Sequence, residues 1–373
     1  MKLVIFIGHF KTGSSSIQSF LSSNYLALLN AGILYPSIES QGLSRNLAVI
    51  RAGRDRSTAG DSLNIIEPHN ALALRLKNED DGHGIPPYYP APPSGFQMLQ
   101  FLHNQIHELQ PESVILCSEV FALLGMTATA SGVTRLAKRF ASYDVTIYCN
   151  LRRPDEYLSS WHRQRLKFGA RVERLSDSGL DEYLDSAHFQ QVAMIEGWMR
   201  HFPSAHLVLR NFDEVRKQGG SIVDFMRHSS LAFPAGLHIP RDQNPSVPSA
   251  FAEIGRRAIL ELPRDQAAEI VRWLTSARTR VRHPGDGDVE MFGPTNRARL
   301  ADRFSSIATM LDRMTGDAPF YPDLDDMSRL RPIDDFSAAE AALPDLVTDA
   351  RRQALAAPLL DWLSSADLHR RTA

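Results

Sequence analysis

The sequence predicts an α/β protein in which a central parallel sheet of about five strands is covered by helices on both faces. Three observations predict this class. Short apolar runs recur along the first part of the chain, stretches with helical periodicity lie between them, and polar segments containing glycine or proline follow several of them. Parallel strands buried on both faces give such continuous apolar runs, and helices connect them. We therefore expect a three-layer α/β/α fold.

Five apolar runs are the predicted strands. The first precedes a loop that contains two glycines, and the fourth ends at a pair of arginines followed by Pro154. Each run has a strand's length and is followed by residues typical of turns or helix starts. The predicted strands are residues 3–7, 33–36, 114–117, 145–151 and 205–210.

Helices are predicted where apolar residues recur at helical spacing, and Pro154 suits the first turn of one of them. From Thr315 onward, four prolines (Pro319, Pro322, Pro332 and Pro344) predict a loop-rich tail with one last helix. The first helix is expected to begin at residue 17. The other predicted helices cover about residues 45–52, 70–76, 96–109, 133–142, 154–168, 188–201, 222–228, 249–262, 264–282, 295–314 and 346–364.

The whole chain is predicted to be a single domain. Its core is expected at about residues 1–36 and 96–240, and a mainly helical C-terminal part at about 241–373. Between the two core segments, residues 37–95 lack clear periodicity. A connection of this length is typical of a functional lid or a disordered insertion.

Composition excludes several classes of protein. The 373 residues are 43% hydrophobic and 23% charged, with a net charge of -2, so no overall basic field predicts nucleic-acid binding. No segment approaches the roughly 20 apolar residues that cross a bilayer, so we expect a cytoplasmic protein without stable membrane insertion. Cys117 and Cys149 lie in apolar runs and are expected to be buried, reduced thiols, and no zinc-binding spacing is present. The oligomeric state is left open.

The loop after the first strand predicts an anion site. It lies between an apolar run and a helix start, where backbone N–H groups and the helix dipole favour negative charge. Gly8, Gly13 and Ser15 keep the spacing of the loop that binds nucleoside triphosphates. The lysine position of that loop holds Ser14, however, and the loop's only lysine is Lys11. This displacement argues against ordinary ATP or GTP hydrolysis and favours another phosphorylated ligand.

A second segment predicts contact with a second phosphate. Arg152 directly follows the fourth predicted strand, and Ser160 lies eight residues later on the following helix. Ligands of open α/β sheets bind at the carboxyl ends of the strands. An arginine fork and a serine hydroxyl are suitable donors to phosphate there. Together with Lys11, this segment indicates a ligand with phosphates at two separate places.

These two segments resemble the nucleotide-binding signature of sulfotransferases that use 3′-phosphoadenosine 5′-phosphosulfate (PAPS). In that family a K-T-G-T/S-T/S-S-type loop holds the 5′-phosphosulfate and an R-x-P…S segment holds the 3′-phosphate. Residues 11–16 match the first motif, and Arg152, Pro154 and Ser160 match the second at the family's spacing. The resemblance is specific over about residues 1–23 and 147–169, and looser over 205–231. The chain looks most like the bacterial branch, which includes carbohydrate-type enzymes.

The resemblance implies a P-loop nucleotide hydrolase-like fold, PAPS as the donor co-substrate, no metal, and a small-molecule or glycan acceptor. It also implies which residues bind the donor. Lys11 and the neighbouring backbone amides would neutralise the charge that develops on the leaving phosphate, as in phosphoryl transfer. The implied donor-binding residues are Lys11, Thr12, Gly13, Ser14, Ser15, Ser16, Arg152 and Ser160.

A general base must take the proton of the acceptor's hydroxyl or amino group. Glu119 is the first candidate, because it follows the third predicted strand at the sheet's ligand edge and because carbohydrate-type sulfotransferases use a glutamate base. A strand-end carboxylate paired with an arginine is the competing interpretation. His162 and His9 are the alternatives, although a structural role is favoured for each histidine.

Further residues are weaker candidates. Arg153, Arg163 and Arg210 lie near predicted strand ends or on the helix that begins at Pro154, so each could touch the nucleotide, although a paired or solvated arginine is favoured. The tyrosines at positions 88–89, between prolines, could stack on a sugar or aromatic acceptor. Packing within their own loop is the more economical interpretation.

Three functions remain open at this point. The first is sulfuryl transfer from PAPS to a hydroxyl or amino group, with a carbohydrate as one candidate acceptor. The second is a P-loop kinase or other nucleotide-dependent enzyme, which would need Mg²⁺ and a lysine after Gly13. The third is a non-catalytic nucleotide-binding protein. The displaced lysine disfavours the second.

Overall fold

The computed structural model describes residues 1–55, 57–58, 60–82, 84–86, 89, 92–240, 246–316 and 318–366. The chain groups into two compact units. The first unit comprises Met1–Arg152, Gln190–Asp242 and Met310–Phe320, and the second comprises Arg153–Phe189, Gln243–Thr309 and Tyr321–Ala373. The prediction of a single domain with a core, an insertion and a helical C-terminal part stays a prediction.

The first unit contains a five-stranded, wholly parallel sheet, so the predicted α/β class and central parallel sheet are confirmed. The strands are ordered β2-β3-β1-β4-β5, which places β1 in the centre, and many helices accompany the sheet, consistent with three layers. The strands are β1 (Lys2–Phe6), β2 (Ile33–Leu34), β3 (Ser113–Cys117), β4 (Asp144–Leu151) and β5 (His206–Asn211).

Helices connect the strands and form most of the second unit. None of those in the described ranges is long and apolar enough to cross a bilayer. In chain order they are α1 (Ser14–Ser23), α2 (Tyr25–Asn30), α3 (Ser40–Ala52), α4 (Leu63–Ile66), α5 (Pro68–Asp81), α6 (Gly95–Leu109), α7 (Phe121–Leu124), α8 (Ser131–Arg139), α9 (Pro154–Lys167), α10 (Asp181–Leu184), α11 (Gln191–Met199), α12 (Phe212–Lys217), α13 (Ser221–His228), α14 (Ala252–Glu261), α15 (Arg264–Ala277), α16 (Gly293–Met314), α17 (Asp335–Arg352) and α18 (Ala357–Ser365).

The core of the first unit packs around β1. Phe6 stacks on Tyr148 with ring centroids 5.7 Å apart, and Phe225 of α13 meets both rings edge-on. Residues Ile17, Phe20 and Leu21 of α1 and Ile115 of β3 belong to the same buried cluster. Burying each such side chain contributes about 1.5–3 kcal/mol, so this cluster anchors the strand that precedes the glycine loop.

The second unit is held together partly by buried ion pairs. Arg153 bonds Asp155 at 2.7 Å, Asp155 also meets Arg297 at 3.4 Å, and Arg297 bonds Glu290 at 2.5 Å. All four side chains are buried. Buried charges persist when each has such partners, so these residues act in packing. Two short strands, β6 (Val289–Glu290) and β7 (Ile333–Asp334), pair in parallel in the same unit.

The prediction of a loop-rich tail after Thr315 was wrong, because α17 runs through Pro344. Proline removes one helical hydrogen bond and usually ends a helix. Here a face of small and apolar side chains is buried along α17, and its packing offsets the lost bond. The buried apolar side chains of this face are Ala338, Ala339, Ala342, Leu346 and Ala350. The predicted insertion is also more regular than expected, since α3, α4 and α5 occupy much of residues 37–95.

The contact between α11 and the residues after α7 generates a stability prediction. A Cβ atom at Gly197 would lie 1.9 Å from the Gly125 carbonyl oxygen. We expect Gly197→Ala to lower the free energy of unfolding by about 1–3 kcal/mol, because overpacking outweighs the gain in helix propensity of about 1 kcal/mol. Urea unfolding followed by circular dichroism measures this change.

Gly255→Ala on α14 is the matched control. Its Cβ would meet Leu274 at 3.7 Å, an ordinary van der Waals contact, so alanine should not destabilise the helix. Equal or greater stability of Gly197→Ala than of the unmodified protein would contradict the close backbone contact.

Candidate functional site

The loop between β1 and α1 continues along β4 before it turns. The Ile7 N–H donates to the Tyr148 carbonyl at 2.9 Å, and the His9 N–H donates to the Asn150 carbonyl at 2.9 Å. A Cβ at Gly8 would lie 2.9 Å from the Asn150 backbone nitrogen, so only glycine allows this approach. The loop therefore emerges at the carboxyl edge of the central strand.

The turn of the loop has two residues in the left-handed region, Lys11 (φ 60°) and Gly13 (φ 85°). Buried Thr12 lies between them. Its hydroxyl donates to the His9 carbonyl at 2.5 Å, and its own carbonyl accepts from the Ser221 hydroxyl at 3.1 Å. Left-handed residues before a helix start turn successive N–H groups toward one concavity that suits an anion. The sequence-predicted residues 11–16 thus lie where α1 begins.

Glu119 lies beside this loop, two residues after the end of β3. The Ser14 hydroxyl and the positive charge of Lys11 both act on its carboxylate. Burial raises the pKa of Glu119, while its own backbone N–H, the Ser14 hydroxyl, Asn70 and the charge of Lys11 oppose the rise. The structure therefore brings together three sequence-predicted residues, Lys11, Ser14 and Glu119.

Asn70, in the first turn of α5, fixes the surroundings of Glu119. Its Oδ1 accepts from Gln18 Nε2 at 2.8 Å and from the Ser118 hydroxyl at 2.6 Å. Because two groups donate to the Oδ1 atom of Asn70, its Nδ2 group faces the opposite direction and serves as a donor there. That group lies 3.4 Å from Glu119 Oε1 and 2.8 Å from Glu67 Oε2.

Glu67 is a second carboxylate at the same place. It directly precedes α5, the Ser15 hydroxyl acts on its carboxylate, and the Tyr89 hydroxyl lies 3.4 Å from its Oε2. Burial, followed by the negative charge of Glu119, raises the pKa of Glu67 from 4.5 to about 7. Two neighbouring buried carboxyl groups with raised pKa values are typical of sites that carry out acid–base chemistry.

Four buried polar atoms of this cluster have no hydrogen-bond partner among the described residues: the Tyr35 hydroxyl, Gln18 Oε1, Glu119 Oε2 and His69 Nε2. Tyr35 is 3% exposed, and the charges of Glu67 and Glu119 both act on it. Its ring meets His69 edge-on at 4.8 Å, and burial lowers the pKa of His69 to about 3, which keeps that imidazole neutral. Unpartnered buried polar groups are uncommon and indicate a place for a ligand or water.

Arg152 follows β4, as the sequence predicts, and its guanidinium lies over the Phe212 ring at 5.7 Å. Its carbonyl accepts from Gln191 Nε2 at 2.9 Å. A Cβ at Gly13 would lie 3.8 Å from the same phenylalanine ring, so Phe212 lies close to both the loop and Arg152.

Ser160 and His162 lie on α9 in the second unit, and both are buried. His162 Nδ1 is 3.0 Å from the Tyr183 hydroxyl, and burial lowers the pKa of His162 to about 3. These contacts indicate that His162 contributes to packing. The predicted roles of Ser160 in nucleotide binding and of His162 as a base stay predictions.

Each of the three weaker arginine candidates forms an ion pair with a carboxylate. Arg153 pairs with Asp155, Arg163 meets Asp286 at 2.6 Å, and Arg210 meets Asp224 at 2.8 Å. The favoured interpretation, that each is a paired arginine, agrees with these contacts. Of the two neighbouring tyrosines, Tyr88 lies outside the described residues. Tyr89 is buried beside Glu67.

Sequence reasoning missed Glu67, Asn70 and Tyr35. Glu67 and Asn70 lie in residues 37–95, where hydrophobic periodicity breaks down. Pro68 signals the first turn of a helix, but no spacing in the sequence indicates that this helix start meets the end of β3. Within the described ranges, no group of three or more histidine, cysteine or acidic side chains is arranged to hold a metal ion.

Comparison with known proteins adds a single partial similarity. No family model matches the chain, and no solved structure matches it. The chain is similar to an uncharacterized protein of Archaeoglobus fulgidus, with 27% identity over 119 residues. The similarity covers 31% of this chain and 31% of that protein, so the chain spans about a third of the relative it matches.

The raised pKa of Glu67 predicts how stability depends on pH. Because the folded carboxyl binds its proton more tightly than the unfolded chain does, stability present below about pH 4.5 is lost as the pH rises to about 7. Glu67→Gln removes this loss. We expect the variant to match the unmodified protein near pH 5 and to exceed its free energy of unfolding by about 1–3 kcal/mol near pH 8.5.

Urea unfolding across this pH range measures the difference. Glu112→Gln replaces an exposed carboxylate and should give a difference that changes little with pH. A pH-independent difference for Glu67→Gln as well would show that Glu67 titrates normally.

Proposed function

We propose that the protein is a sulfotransferase that moves the sulfuryl group of PAPS to a hydroxyl or amino group of a small-molecule or glycan acceptor. The observation that carries this proposal is the placement of the glycine loop at the carboxyl edge of β1, with Lys11 acting on the carboxylate of Glu119. The loop fits a 5′-phosphosulfate and the carboxylate fits a proton acceptor beside it. We further propose that the fold is of the P-loop type.

The loop supports binding of the donor's phosphosulfate end. Left-handed backbone at Lys11 and Gly13, followed directly by α1, favours convergence of N–H groups on an anion. Lys11 adds a full positive charge to the partial charge of the helix start. These groups would neutralise the negative charge that grows on the phosphate as the sulfuryl group leaves.

Arg152 supports binding of a second phosphate. It follows β4, the neighbour of β1, at the same carboxyl edge, where open α/β sheets bind ligands. An arginine presents a bidentate fork to phosphate. The guanidinium lies over the Phe212 ring, and this cation–π contact stabilises the side chain at that place.

Glu119 supports the chemical step. The acceptor oxygen or nitrogen forms a bond to sulfur, and the bond between sulfur and the bridging oxygen breaks, with its electron pair staying on the phosphate. The proton of the acceptor moves to the Glu119 carboxylate. Because burial raises the pKa of Glu119, the carboxylate is a stronger base than an exposed glutamate.

The runner-up, a kinase or other nucleoside-triphosphate enzyme, finds less support. Its loop would carry a lysine after Gly13, and that position holds Ser14. Metal-dependent turnover of ATP by the purified protein would favour the kinase. Tight nucleotide binding without transfer to any acceptor would favour a non-catalytic protein.

Calorimetry with 3′-phosphoadenosine 5′-phosphate (PAP) tests the donor site. We expect Lys11→Ala and Arg152→Ala each to weaken binding by about 10- to 100-fold, since a hydrogen bond to a charged group is worth about 1.5–3 kcal/mol. Lys138→Ala and Arg139→Ala, both at the end of α8, are the matched controls and should bind PAP normally. Failure of the unmodified protein to bind PAP would refute the proposal.

Transfer of radiolabelled sulfate from PAPS onto a panel of glycans, phenols, lipids and peptides identifies the acceptor. With the best acceptor, we expect Glu119→Gln to lower kcat by about 10²- to 10⁴-fold, the usual contribution of a general base. PAP binding should be retained, and Glu108→Gln should keep full turnover. Unchanged turnover in Glu119→Gln would exclude Glu119 as the base.

A further inference from the structure

Two carboxylates from distant parts of the chain meet at one amide beside the loop. Asn70 Nδ2 lies 2.8 Å from Glu67 Oε2 and 3.4 Å from Glu119 Oε1. The loop serines act on the same pair, Ser14 on Glu119 and Ser15 on Glu67. Both carboxylates are therefore one side chain away from the proposed anion site.

A doubly charged pair at this place would oppose an anionic ligand. Like charges in a partly desolvated site repel strongly, and a bound phosphosulfate adds more negative charge. One proton on the pair removes half of the opposing charge. The positive charge of Lys11 favours the ionised form of Glu119, whereas the negative charge of Glu119 favours the protonated form of Glu67.

The other titratable groups of the cluster stay neutral near pH 7. Burial raises the pKa of Tyr35 and of Cys117 well above their usual values, and burial lowers the pKa of His69 to about 3. Glu119, Cys117, Tyr35 and Tyr89 are titratable groups that interact with Glu67. Within this cluster, the carboxylate pair is therefore the group that can exchange a proton near neutral pH.

The cluster also has unfilled hydrogen-bonding capacity. The Tyr35 hydroxyl and Gln18 Oε1 are buried and have no hydrogen-bond partner in the part of the chain that the structure describes. Both lie beside the carboxylate pair: Tyr35 is within the field of both carboxylates, and Gln18 bonds Asn70. This is a second, independent indication that a ligand approaches here.

We propose that Glu67, a residue of the insertion, couples binding of the anionic donor to uptake of a proton. In its protonated form Glu67 permits the donor to bind and leaves Glu119 ionised as the proton acceptor. In its ionised form it adds a second negative charge next to the loop and weakens donor binding. Glu67 is thus a positioning residue that makes donor binding dependent on pH. This inference rests on the proposed function.

Calorimetry of PAP binding tests the coupling. We expect the dissociation constant of the unmodified protein to rise about fivefold or more between about pH 6.5 and about pH 8, relative to that of Glu67→Gln. Glu67→Gln imitates the protonated carboxyl, so its binding should follow only the titration of PAP itself. Glu67→Asp keeps an ionisable carboxyl and should keep part of the dependence. Titrations contain EDTA, so that no cation replaces the shared proton.

Buffers of different ionisation enthalpy measure the proton directly. Near pH 7.5 we expect the unmodified protein to take up more protons per PAP than Glu67→Gln does, and Glu108→Gln to behave as the unmodified protein. Equal proton uptake by Glu67→Gln and the unmodified protein would overturn the inference. A purely structural role would change affinity equally at every pH and would overturn it too.

Inorganic sulfate, which does not titrate near neutral pH, separates the inference from the proposed function. Stabilisation of the unmodified protein by sulfate should be greater near pH 6.5 than near pH 8, and this difference should vanish in Glu67→Gln. If PAP fails to bind but sulfate shows this pattern, the proton coupling stands and the sulfotransferase proposal falls. If the sulfate effect does not depend on pH, the coupling is refuted even where PAP binds. If Glu67→Gln does not fold, the comparison of sulfate stabilisation near pH 6.5 and near pH 8 can be made with the unmodified protein alone.

Discussion

The site depends on the register of three neighbouring strands. Phe6 of β1 pairs with Cys117 of β3 on one side and with Tyr148 of β4 on the other, and all three strands are parallel. Their carboxyl ends therefore meet at one edge of the sheet. The glycine loop, Glu119 and Arg152 emerge at that edge because each directly follows one of these strands. A one-residue slip of β3 would turn its side chains to the opposite face and carry Glu119 away from Ser14.

The same register explains why a polar network can exist deep in the first unit. Backbone groups at the end of β3 accept and donate bonds that would otherwise be lost: the Cys117 N–H donates to His69 Nδ1 at 3.1 Å, and its carbonyl accepts from Gln18 at 3.0 Å. Each buried polar group then orients the next, from Gln18 through Asn70 to the two carboxylates. Such a network is stable only when nearly every member is bonded, which makes the few unpartnered atoms informative.

The sheet and the loop could be predicted from the sequence because their signals are local. A buried parallel strand is a continuous apolar run, and the loop's glycines have a fixed spacing, so β1, β3, β4 and β5 were all located within one or two residues. The prediction of a loop-rich tail was wrong because Pro344 is a local signal for the end of a helix. In α17, packing of the buried face outweighs that signal, and the helix continues through the proline. Glu67 and Asn70 could not be predicted because their role comes from a contact between segments about 50 residues apart along the chain. Periodicity carries no information on which helix start meets which strand end.

The chemistry of Ser14 explains why the lysine of the loop is displaced. Ser14 is 4% exposed, and its hydroxyl acts on the Glu119 carboxylate. A lysine at this position would bring an ammonium group near that carboxylate. A neighbouring cation lowers the pKa of a carboxyl group, so Glu119 would then be a weaker base. Lys11, in the middle of the turn, still acts on Glu119, whereas Ser14 and Asn70 are neutral. The proposed sulfuryl transfer needs both charge neutralisation at the phosphate and a neighbouring base, and a lysine at position 11 with a serine at position 14 suits both needs.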